Sequence, residues 1–300
     1  MSIELLLVLL AFVGLGAVAS RVFTRTVLLT DAGQAALLSP AANHGRRRAA
    51  VAFAGAAAVT GILLLAGPWL AHAVAGRVGP TGPAGLSLAL TPLAIGVAHA
   101  GVFLAAERTW PRPAAPVREA TLRPRSYTRF APRWLAAIAC AWAVGLAVTL
   151  AWTGTVATDN QLQVGYDGSD PRWADQVTGP ADFGWAAAGP FPGWGYGVPT
   201  LTLAAALAVL VWLTLREVQR RPAVPGLEGA LDDGLRRTSA RQVLGVAQAA
   251  LGVTLAGNLF FVSSALRGVR LASEGVAVLV LAIAVAATTL TVLGLAIRRR

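Results

Sequence analysis

The sequence predicts an all-α fold: a polytopic bundle of about seven transmembrane helices, N-terminus outside and C-terminus in the cytoplasm. Three observations predict it. Of the 300 residues, 56% are hydrophobic and only 13% charged, against roughly 25% charged in ordinary soluble domains. The apolar residues fall into blocks of about 20, the length that crosses a hydrocarbon core of about 30 Å as a helix. Arginine numbers alternate between successive connections. In lipid every backbone polar group must pair internally, which selects helices, and the alternating segments of a membrane β-barrel are absent.

The expected spans are 3–19, 49–73, 85–106, 134–155, 198–215, 243–265 and 275–297. The first carries Ala17-Val18-Ala19, a small-residue pattern like a signal-peptide cleavage site. Its leading Met1-Ser2-Ile3-Glu4 has no basic residue, and Arg21 and Arg25 follow the apolar block. That polarity predicts a retained anchor with its N-terminus outside. Along the next connections and the tail the arginines number five, one, seven, one, six, two and three. Arginine-rich loops stay in the cytoplasm. One helix is therefore followed by three in–out–in hairpins, opening at Arg48, Arg133 and Arg241. A Val-Thr pair recurs at Val59-Thr60, Val148-Thr149 and Val253-Thr254, as a tandem repeat would give, but Ala/Val/Thr-rich composition accounts for it.

The whole chain, 1–300, reads as one transmembrane domain, with 156–197 as a long extracytoplasmic loop rich in Trp and Asp. The connection 109–132 is rich in Pro and Arg and predicts irregular chain. Within 216–242, Leu231-Asp232-Asp233-Gly234-Leu235-Arg236-Arg237 predicts a short amphipathic helix at the headgroups.

The net charge of +11 comes entirely from arginine, since the chain has no lysine. These arginines flank apolar blocks instead of alternating with aromatics. They predict contact with anionic lipid headgroups and exclude nucleic acid as the expected partner. A retinal protein is also excluded, because its Schiff base needs a lysine. No expected span holds Asp or Glu at mid-membrane, which argues against an ion-driven pump. The nucleotide, hydrolase and metalloprotease motifs are missing, so neither a catalytic residue, a cofactor nor a metal is expected. Cys140, the one cysteine, allows no disulfide within the chain and reads as a small buried hydrophobe.

Two sets of candidate site residues remain. His99, Gln248 and Asn258 are polar groups within expected spans. They either hydrogen-bond between helices as packing contacts or line a polar path for a solute. In the long loop, Asp167, Asp170, Trp173, Trp185 and Trp194 are candidates for contact with a ligand or partner. The alternative for them is a structural lid, since Asp-Gly and Pro-Gly make turns and tryptophans favour the bilayer interface. Tyr166-Asp167-Gly168-Ser169-Asp170 lacks the ligand spacing of an EF-hand.

The loops Glu107-Arg108-Thr109-Trp110-Pro111-Arg112-Pro113 and Pro192-Gly193-Trp194-Gly195-Tyr196-Gly197-Val198-Pro199, with the arginine run from Arg118 to Arg133, resemble those of multi-pass membrane proteins of high-GC actinobacteria. The likeness extends over most of the chain. It implies a bacterial cytoplasmic (plasma) membrane and carries over neither an activity nor a functional residue. The expected function is a non-enzymatic accessory, sensory or scaffold component, with a membrane-protein partner as its contact. A permease for a small or amphipathic solute is the alternative.

Overall fold

The structure is a computed structural model that describes residues 85–109, 130–176, 183–222 and 229–297. The expected spans 3–19 and 49–73 lie outside these residues, as does most of the connection 109–132. The other five expected spans each coincide with a helix. These are α1 (Leu86–Arg108), α2 (Arg133–Val156), α3 (Trp194–Arg220), α4 (Gly229–Gly268) and α5 (Ala272–Ile297). All five are long and apolar enough to cross a membrane. Arg108, Arg220 and Arg267 stand in the last turns of α1, α3 and α4, where a cation meets the negative end of the helix dipole.

Helix α4 is the hub, packed against each of the other four. Of its membrane-length stretch 61% is buried, against 17% for α2, 17% for α3 and 22% for α5. Yet α4 holds the buried polar side chains Gln248, Thr254, Asn258 and Ser263, while the faces turned outward carry Val144, Val148, Val209, Val280 and Ile283. Water would impose the opposite arrangement, since a soluble domain buries its apolar groups and exposes polar ones. An apolar surroundings explains both halves of the pattern.

Small residues set the helix separations. A Cβ on Gly96 would come within 2.7 Å of Ala250 Cβ, and one on Gly252 would collide with the Thr289 side chain. Such close approaches gain contact area where apolar burial itself provides no drive. Leu93, Leu135, Leu146, Leu207, Val243 and Leu251 fill the space between them.

Two features depart from the sequence expectation. The segment Leu231–Arg237 is not a separate surface helix but the first turns of α4, with Asp232 and Arg236 buried. At 40 residues α4 is roughly 60 Å long, about twice the hydrocarbon thickness. The long loop also contains regular structure that an all-α reading omits. Strands β1 (Leu162–Asp167) and β2 (Phe183–Ala188) pair antiparallel, from Leu162 opposite Ala188 to Asp167 opposite Phe183, with a 3-10 turn at Pro171–Trp173 between them. Alternation at Leu162, Val164 and Tyr166 gives β1 one inward face. A second core of Leu162, Phe191, Val262, Ala265, Leu266 and Val269 seats this hairpin on the end of α4.

Candidate functional site

The hairpin is fixed by a clamp built on Arg270. Helix α4 closes with Arg270 N–H donating to Arg267 O (3.1 Å) and Leu271 N–H to Leu266 O (2.9 Å). This is a Schellman closure, whose left-handed position usually falls to glycine. Here Arg270 occupies it, at φ 61°. Its guanidinium donates to both carboxylate oxygens of Asp175 (2.5 and 2.9 Å) and to the carbonyl of Arg172. It also lies 4.4 Å over the Trp173 ring, which stacks on Tyr166 at 4.3 Å. Cation–π and stacking contacts thus sum with the ion pair at one point.

The expected contact residues of the loop divide accordingly. Asp167 accepts from the backbone N–H and the hydroxyl of Ser169, and these bonds hold its carboxyl below the ordinary value. Asp170 accepts from the Arg172 side chain and backbone N–H, which depresses its carboxyl as well. The Arg270 hydrogen bonds do the same to Asp175. Trp173 is buried, with its indole N–H unpartnered. Trp194 lies against Gly154, where a Cβ would come within 2.6 Å of the indole, so it pins the start of α3 to the end of α2. Asp167, Asp170, Trp173 and Trp194 thus each make a contact within the cap or at its base. Trp185 differs: it is 67% exposed, pairs edge-to-face with Phe183 at 5.3 Å, and stands with Phe183 on the outer face of the hairpin beside Gly165.

No hydrogen bond joins any two of His99, Gln248 and Asn258. His99 Nδ1 bonds to Ile95 O one turn back, Gln248 donates to Thr289 O across to α5, and Asn258 donates to Thr254 O on its own helix. The side-chain carbonyls of Gln248 and Asn258, with the Thr289 hydroxyl, are buried without partners.

At the opposite end from the hairpin is a buried ion cluster that sequence reasoning missed. Arg236 Nε donates to Asp232 (2.8 Å), and Arg221 reaches Asp232 (3.3 Å) and Glu107 (3.8 Å). Ser239 Oγ donates to Glu107 (2.7 Å). Two carboxylates and two guanidiniums balance, as burial requires. Burial pulls the Arg221 guanidinium below its ordinary value, against the pull of Glu107 and Asp232. Arg236 also donates to the carbonyls of Val218, Gln219 and Arg221, capping the C-terminal end of α3. The spacing of Asp232 and Arg236, one helical turn, was the available signal. Arg270 and Asp175 gave none, since they are 95 residues apart.

Among the described residues no group of three or more His, Cys, Asp or Glu side chains comes together as a metal would need. No protein-family model matches the chain, and neither a curated protein nor a solved structure matches it.

Proposed function

We propose that the chain is a multi-pass protein of a bacterial cytoplasmic membrane that acts as a non-enzymatic accessory or scaffold component, touching a membrane-protein partner through its hairpin cap. The observation that carries this reading is the Phe183–Trp185 ledge. Both rings are largely exposed, on a strand pair held rigid by the Arg270 clamp and the Leu162–Phe191 core. Aromatic side chains on an ordered backbone are favoured contact points, because little conformational entropy is lost when they are covered. The permease alternative gains no support from His99, Gln248 and Asn258, whose hydrogen bonds stay on their own helix or reach the adjacent one.

A photo-crosslinking residue placed at Phe183 or Trp185 of the full chain, in native membranes, tests this. The expected result is one protein adduct of defined mass at both positions and none from Val280 on the outward face of α5. Lipid adducts alone at both hairpin positions would mean that the ledge is an interface anchor, and the reading would fall.

A further inference from the structure

Helices α2 and α3 leave between them a cleft of about 740 Å³ floored by α4. It exists because α2 presents Ala136, Ala139 and Ala143 there, side chains too short to reach Leu207 and Val211 of α3. The volume lies within the range of about 300–1,000 Å³ usual for small-ligand sites. Along α3 the lining runs from Leu207 to Arg220, roughly 20 Å of helix, somewhat more than one leaflet of the hydrocarbon core. Its walls are apolar except at one end, where Arg216, Gln219 and Arg220 form the mouth.

The two arginines at this mouth are unlike most others described. Arg108, Arg172, Arg221, Arg236 and Arg270 each pair with a carboxylate. Arg216 and Arg220 pair with none among the described residues. They stand one helical turn apart, which places their side chains on the same face. Arg216 lies 5.4 Å over the ring of Trp212, an exposed tryptophan at the rim, the residue type that collects at headgroup level.

We infer that this cleft binds one anionic phospholipid, with an acyl chain between α2 and α3 and its phosphate on Arg216 and Arg220. Apolar length, a mouth at one end and two guanidiniums without a carboxylate partner match an acyl chain joined to an anionic head. Guanidinium binds phosphate through paired hydrogen bonds, and basic pockets between membrane helices take such headgroups. The inference needs the helices to lie in a bilayer and is independent of the role proposed for the hairpin. Resistance of the chain to alkaline carbonate extraction tests that premise separately.

The structure also supplies the probe. Cys140, the only thiol in the chain, is not buried, as its apolar setting predicts, but exposed in the cleft wall, because α2 turns that face away from the other described helices. The full chain is delipidated in mild detergent, mixed with phosphatidylglycerol or phosphatidylcholine, and read by native mass spectrometry and by the rate of Cys140 alkylation with N-ethylmaleimide. One phosphatidylglycerol should be retained in preference to phosphatidylcholine, and it should slow alkylation several-fold. The double substitution Arg216→Gln/Arg220→Gln, at a half-buried and an exposed position, should weaken retention about tenfold and abolish the protection while the helical circular-dichroism signal is unchanged. Ala143→Phe, which sets a ring into the cleft where an acyl chain would run, should weaken lipid retention while the arginines remain. Equal retention of the two lipids, or retention indifferent to the arginine pair, overturns the inference. So does lipid held by the arginines alone and unaffected by Ala143→Phe, which would place it on the surface.

Discussion

At the scale of single residues, Arg270 is the most constrained position described. Its left-handed backbone is strained for any residue with a Cβ, and its side chain joins Asp175, the Arg172 carbonyl and Trp173. Two substitutions separate these effects. Arg270→Gly relieves the backbone and loses the clamp, whereas Arg270→Ala keeps the strain and loses the clamp as well. Amide exchange across β1 should therefore be slowest in the wild type, faster in Arg270→Gly and fastest in Arg270→Ala. An alanine variant as protected as the wild type would show that the clamp contributes nothing. Acid should act at the same point. The Asp175 carboxyl is held below its ordinary value by Arg270, so its contribution is complete at neutral pH and is lost as pH falls through that lowered value. Hairpin protection factors, taken relative to the intrinsic exchange rate at each pH, should be flat from neutrality down to the ordinary carboxylate range and fall only in stronger acid. Asp175→Asn should start at the lower protection and lose that step. None of this was legible beforehand, because an arginine in the left-handed position leaves no mark that a glycine would have left.

At the scale of elements, the ion cluster joins three helices. Arg236 closes the end of α3 from a position on α4, and Arg221 links Asp232 on α4 to Glu107 on α1. Removing one member of a buried ion pair typically costs about 3–5 kcal/mol, because the partner charge is stranded. Arg236→Gln should lower stability by about 3 kcal/mol, read from thermal unfolding in detergent, and Arg236→Gln/Asp232→Asn by less than the sum of its two single changes. Additive losses would mean that the two side chains do not act as a unit. The five described helices were legible, since a span announces itself through an unbroken apolar run such as 275–297. The first turns of α4 were not, because a charged stretch reads as loop until its partners on α1 and after α3 are in place. The hairpin escaped for a related reason. Its strands are six residues each and interrupted by Gly165 and Gly184, and a tertiary contact with α4 stabilises them more than local pattern does.

At the scale of the whole molecule, the hairpin cap and the ion cluster mark opposite ends of α4, and the arginine counts predict that the ion-cluster end faces the cytoplasm. In a Cys140→Ser background, Gln163→Cys on the hairpin should react with an impermeant maleimide in intact cells. Thr238→Cys, exposed near the start of α4, should react only after the membrane is opened. The reverse pattern would invert the orientation. Both ends are fastened to one object. Helix α4 runs 40 residues without a proline, gripping the hairpin core at Val262 and Val269 and the ion cluster at Asp232 and Arg236. Such a helix acts as a rod: a tilt imposed where the hairpin sits carries toward its far end, with no proline along it to kink the path. The hairpin and the ion cluster are thus parts of one continuous helix, so a shift of the first is expected to displace the second.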